Sequence, residues 1–336
     1  MRHNNEDVSS QASHAVGEEL RALISGCGVF ELNSRAQIKL TGTDRVRWLN
    51  GMVSNNIRDL AGGHGVYAFL LNPHGHILGD MYAYHLGEYV LFDVEQRQVP
   101  KLLELFEHYI IMDDVEVNDV SESIASTGLS GPKASEVLAS TGFDVSGLQP
   151  LELREVTWQG AKLTLVRAEW TNYEVWSSAA DRQKIWRALT QSGAQPVGDA
   201  ALEVQRVLRG VPRYGVDIRE RDLPQETGQE RALNYSKGCY IGQEIVERIR
   251  SRGGVHRKFV GFAVEGILPA PGTKVQADGK DAGEITSAVA LPADLGNHNA
   301  ALGYIRREFG TDGKTVSVGG VQAKVRELPF KGTNIV

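Results

Sequence analysis

The octapeptide Lys237-Gly238-Cys239-Tyr240-Ile241-Gly242-Gln243-Glu244 concentrates reactive chemistry, because it holds one of only two cysteines in the chain. A thiolate is a nucleophile, a redox group and a metal ligand, and a neighbouring cation such as Lys237 would favour it over the thiol. Gly238 and Gly242 permit positive φ or the close approach of another backbone. Gln243 to Arg250 is expected to be a helix, with Glu244 in its first turn as the dipole favours. A cysteine just ahead of such a terminus lies in a field that stabilises its anion. The competing reading is a glycine-punctuated turn around a small, buried and inert thiol.

Other groups invite chemistry with less specificity. Asp80 falls inside a predicted strand among Leu78, Met81, Tyr82 and Tyr84. A carboxylate in that company needs a hydrogen bond, a metal or a function. Glu174 follows Tyr173 and precedes Val175-Trp176, and taken alone reads as a solvated glutamate on an edge strand. His64, His74, His76 and His85 lack an accompanying cysteine or aligned carboxylate, so they read as turn histidines and no metal site is assigned. Gly26-Cys27-Gly28 has no third glycine and no strand of weight before it, so a dinucleotide fingerprint is rejected.

The elements that must position these groups follow from periodicity. Thr43 or Asp44 starts a helix whose apolar residues Val46, Leu49, Val53, Ile57 and Leu60 form one stripe, ended by Gly62-Gly63. Tyr67 to Leu71 and Ile77 to His85 read as strands joined by Asn72-Pro73-His74-Gly75. A second amphipathic helix is expected over Val99 to Met112, and others at 131–140, 181–191 and 198–209. Strands are expected at 26–40, paired about Asn33-Ser34, and at 151–157 and 162–166, paired about Gln159-Gly160. Beyond residue 254 six short strands are separated by glycine-bearing turns, the pattern of a small barrel. The irregular alternation before that point indicates α+β rather than a doubly wound parallel sheet.

At 336 residues the chain exceeds one ordinary core. Hydrophobic residues at 41% and charged residues at 23% describe a globular protein, and no apolar run approaches a membrane span. The expected organisation is a disordered leader over 1–20, an α+β region over 21–250 and a barrel over 255–330. Two isolated cysteines give no disulfide framework, and the polar start lacks a signal-peptide core, which suits the cytoplasm. A net charge of −6 argues against broad nucleic-acid binding. Residues 237–258 depart from it, with six Lys or Arg against Glu244 and Glu247, and could face an RNA phosphate or another anion. A solvated helix face explains the same run.

The octapeptide resembles the signature of the YgfZ family, folate-binding relatives of the glycine-cleavage T-protein linked to iron–sulfur cluster maintenance and tRNA modification. The T-protein has a related Lys-Gly stretch without the cysteine, so Cys239 points to the YgfZ branch. The Leu-Thr-Gly-x-Asp start at Leu40, the Tyr-x-x-Leu-Leu-Asn run from Tyr67 and Asp80 also resemble the T-protein, although Gly79 stands where two adjacent aspartates are usual. Glu174 resembles the glutamate that hydrogen-bonds the pterin, with the family's preceding glycines missing. Arg206 matches the arginine of an Arg-Leu-Glu-x-Gly-x-Pro-x-Tyr-Gly segment, with Leu208 in place of the glutamate. The barrel carries Gly-Glu-Ile-Thr-Ser and Ala-Leu-Gly-Tyr in common with the family.

The resemblance runs from about Phe30 to Arg326. It implies two mixed α+β subdomains, either consecutive or interleaved, and a C-terminal β-barrel. It also implies tetrahydrofolate or a derivative as cofactor, held by Tyr67, Asp80, Glu174, Arg206 and Lys237. Cys239 and Asp80 would be the reactive groups, with a transient iron–sulfur contact through Cys239. The implied partners are folate and iron–sulfur enzymes or their assembly proteins. Two alternatives stay open: a tetrahydrofolate-dependent aminomethyltransferase, and a noncatalytic folate-binding scaffold whose cysteine is merely buried.

Overall fold

In the computed structural model, residues 16–292 and 298–331 are described. A five-stranded antiparallel sheet is built from Arg35–Thr41, His64–Leu71, Ile77–His85, Val90–Glu95 and Glu116–Asp119. Alternation gives it two faces. Ile38, Leu40, Ala68, Leu70, Met81 and Phe92 point to one side, where helices Arg45–Met52 and Val99–Tyr109 cover them. Tyr67, Phe69, Tyr82, Tyr84 and Leu91 point to the other, where they meet Leu153, Val166 and Trp176 of a second sheet.

That second sheet has six strands, including Gly28–Glu31, Ala125–Ser130, Tyr173–Ser177 and the hairpin Leu153–Trp158 with Ala161–Val166. Its outer face is closed by helices Ala134–Thr141 and Arg182–Gln191. The hairpin turns on Gln159 and Gly160, both at positive φ (48° and 84°), the backbone that a two-residue primed turn requires.

Six strands from Arg257–Val264 to Val321–Arg326 close into a barrel, because the first pairs with both Asn299–Arg306 and the last. Val260, Phe262, Ile285, Ala301, Ile305 and Val325 fill its interior. Phe259, Leu302 and Tyr304 point outward and pack with helix Asp199–Arg209. Among the described residues no helix is long and apolar enough to cross a membrane.

Four expectations need correction. The chain is helical over 16–25, and Leu20, Ala22 and Leu23 are buried against helix Asp199–Arg209, so the expected leader is structured from residue 16. The helix expected to run on to Leu60 stops at Met52. Val53 is extended and bridges Leu70, and the Asn50 side chain accepts from the Ile57 and Arg58 amides. The helix expected to reach Met112 ends at Tyr109, leaving Ile111 and Met112 exposed. The strands on either side of Asn33-Ser34 also divide between the two sheets instead of pairing together.

Candidate functional site

Asp80 resolves its apolar setting by hydrogen bonding. The Tyr67 hydroxyl donates to its Oδ2 at 2.6 Å across the paired strands. Gln98, immediately before helix Val99–Tyr109, donates to Oδ1 at 2.7 Å and accepts from the Asp80 amide at 3.1 Å. Burial and the nearby Asp80 charge push the Tyr67 phenol well above its ordinary value, so it remains a donor. Four lone-pair directions less two leave the carboxylate capacity for a ligand.

Asp80, Tyr67, Tyr82 and Arg35 line a cavity of about 60 Å³, faced by Pro212, Tyr214 and Arg231. Next to it lies a larger cavity of about 520 Å³, which shares Ser34, Glu95, Trp170, Arg206 and Arg213 as walls. The cleft thus runs between the five-stranded sheet and the segment following helix Asp199–Arg209.

Glu174 lines neither cavity. It is 4% exposed on the other sheet, where Trp176 Nε1 donates to it at 2.9 Å and Thr171 Oγ1 at 3.3 Å. Burial, and secondarily the charge of Asp93, pushes its carboxyl up to about 7. Asp93 in turn accepts from Arg35 at 2.6 Å and Gln37 at 3.2 Å. Glu174 therefore stands behind Arg35 and Asp93 rather than on the wall with Asp80.

Arg206 touches the cleft but is 5% exposed, and all five of its N–H donors are engaged. Glu203 takes two (2.9 and 2.7 Å), Asp217 and Ser287 one each (2.7 and 2.8 Å), and the Val211 carbonyl the fifth. Because Ser287 belongs to the barrel, this arginine ties helix, loop and barrel together. Arg213, two residues beyond Val211 on the same wall, is half-exposed and pairs with Glu203 at 2.9 Å.

The Cys239 segment is fixed from below. The Lys237 ammonium donates to the carbonyls of Asn50, Val53 and Asn55 at 2.6, 2.6 and 2.7 Å. These lie at and just beyond the C-terminus of helix Arg45–Met52, where a cation suits the dipole. Burial, with Arg58 nearby, lowers Lys237 to about 8. The Asn55 side chain donates both to the Tyr67 carbonyl (2.8 Å) and to the Arg231 carbonyl (2.9 Å). It thereby joins the strand of the cleft to the segment that leads to the cysteine. Gly242, at φ +84°, lets Asn72 and Leu71 of the hairpin approach to where a Cβ would be 2.7 and 3.0 Å away. Gly238 faces open space. Helix Gln243–Arg252 follows.

Cys239 is exposed and Cys27 is buried, which removes the reading in which Cys239 is merely a packed core thiol. Within the basic run 237–258, Lys237 is committed to the three carbonyls and Arg257 to Asp222 and Glu226. The local cationic excess available to solvent is correspondingly smaller. Tyr67, Asp80 and Arg206 share the cleft, while Glu174 and Lys237 support it from outside. Gln98, Asn55 and Arg231 carry no local motif, and Arg213 fills an unspecified position of the segment that begins at Arg206; only their contacts mark them. Trp170 stands four residues before Glu174 on the same segment.

The family description "GCVT N-terminal domain" matches residues 3–237, and "CAF17, C-terminal beta-barrel domain" matches residues 256–330. The chain is 28% identical to an aminomethyltransferase of Lysinibacillus sphaericus, over 94% of this chain and 89% of that one. It is 29% identical to the aminomethyltransferase of Rubrobacter xylanophilus, over 93% and 82%. The crystal structure of glycine cleavage system aminomethyltransferase T from Bartonella henselae superposes with a TM-score of 0.84 at 21% identity, covering 95% of this chain and 90% of that one, and shows the same fold. With both domain types present in order and the fold shared throughout, the chain belongs to the YgfZ/CAF17 family within the aminomethyltransferase superfamily.

Proposed function

We propose that this protein binds a reduced folate in the Asp80 cleft and supports the assembly or repair of iron–sulfur enzymes, tRNA-modifying ones included, through Cys239. The observation that carries this reading is the pairing of a pre-oriented Asp80 on the cleft wall with an exposed Cys239 on a segment joined to that wall through Asn55. Asp80 and Tyr67 take the pterin end. The larger cavity suits the remainder of the molecule, with the half-exposed Arg213 on its wall for a glutamate carboxylate and Arg206, its donors all engaged, holding that wall in place. Glu174 acts one layer back through Asp93 and Arg35, and Lys237 by clamping the Cys239 segment. A lone cysteine cannot complete a four-thiolate cluster site, so cluster contact draws on a partner chain or an exogenous thiol. Two unpaired cysteines agree with a reducing cytoplasm.

Calorimetric titration of tetrahydrofolate into wild type, Glu174→Ala and Cys239→Ser tests it. Binding by wild type, its loss in Glu174→Ala and its retention in Cys239→Ser support a folate pocket with a separate role for the cysteine. Failure of wild type to bind any reduced folate sinks the reading. Relatives named aminomethyltransferase favour a second reading, transfer of a one-carbon unit to tetrahydrofolate positioned by Asp80. Glycine-cleavage turnover with a lipoyl carrier protein would establish it, and its absence would leave the first.

A further inference from the structure

Resting on the folate reading, we propose that Arg231 is a built-in competitor for the ring slot of the cleft, and that a ligand's planar ring must displace it. The Arg231 guanidinium lies 4.4 Å from the centroid of the Tyr67 ring and 6.0 Å from that of Tyr82. Glu169 holds it in an ion pair, and Gln229 accepts from its Nε and Nη2 at 3.1 and 2.9 Å. With Arg231 there, the slot beside Asp80 measures about 60 Å³. That is far below the roughly 300 Å³ at which pockets begin to accept small molecules.

The chemistry explains why an arginine fits. A guanidinium is a flat N–C–N donor edge that stacks on aromatic faces. The aminopyrimidinone edge of a pterin presents the same planar amidine pattern, so the Tyr67 face suits either occupant. The side chain can leave without unfolding anything. It is partly exposed, on the short turn Glu230–Ala232, and its backbone carbonyl stays anchored to Asn55.

The test is calorimetry and stopped-flow binding of tetrahydrofolate to wild type, Arg231→Ala and Glu169→Gln, each checked for native melting. Removing the competitor should tighten binding about tenfold, the equivalent of one partly desolvated cation–π contact, mostly through faster association. Glu169→Gln, which frees Arg231 without deleting it, should tighten binding in the same direction by a smaller factor, and it decides the matter if Arg231→Ala does not fold. Unchanged or weaker binding by the variants, with wild type binding, overturns the competitor and leaves the folate reading intact. If neither wild type nor variants bind, the folate reading falls and the competitor falls with it.

Discussion

Replacing Lys237 by methionine keeps most of the side-chain volume and removes one ammonium from three carbonyl oxygens. Each hydrogen bond to a charged donor contributes roughly 1.5–3 kcal/mol. Against this stands the desolvation of the ammonium, several kcal/mol for a buried ion. The balance resembles the breaking of a buried ionic contact, because the carbonyls of Asn50, Val53 and Asn55 lose their shared donor. The expected loss is therefore about 3–5 kcal/mol. Lys237→Arg should recover little of it, since a planar guanidinium cannot direct three donors into a site shaped for a tetrahedral ammonium. Urea unfolding with an unchanged m-value reads the loss directly as a lower midpoint. A loss below about 1 kcal/mol for Lys237→Met would refute the clamp and return Lys237 to a surface role.

Alkylation under native conditions at pH 8 should modify Cys239 alone. Cys27 is buried and its thiol is pushed up to about 12 by burial, so it should label only on unfolding, and mass spectrometry of the labelled peptide distinguishes the two. Gly242→Ala should cost about 2–3 kcal/mol, from the left-handed backbone together with the 2.7 Å approach of a new Cβ to the Asn72 carbonyl, measured by the thermal midpoint. Glu174 ionises at about 7 in the fold and near 4.5 when unfolded. The native state therefore binds the extra proton between those values, and stability falls as pH rises through that window. Glu174→Gln should flatten that slope in denaturation curves taken from pH 4 to 8; an identical slope would show that other groups cause it.

Local pattern alone determined a good part of this protein. The barrel follows from short alternating runs between glycine turns, and the Gln159-Gly160 hairpin from residues that tolerate positive φ, because alternation and turn chemistry act over a few residues. The octapeptide pointed to the branch of the superfamily through the single thiol of Cys239. Helix ends were less legible. Val53 continues the apolar stripe of helix Arg45–Met52, yet it leaves the helix because Leu70, in the neighbouring sheet, offers its backbone a partner. The same limit applies to the site. Asp80 was marked by its apolar neighbours, but Gln98, which fixes its second oxygen, is an ordinary polar residue until the helix docks. Lys237 looked like a partner for the adjacent thiol. The fold sends its ammonium instead to carbonyls 182 to 187 residues earlier in the chain. Periodicity reports which face of an element is apolar, whereas the partner of a buried polar group is decided by whichever distant backbone is left with an unsatisfied atom when the two faces close.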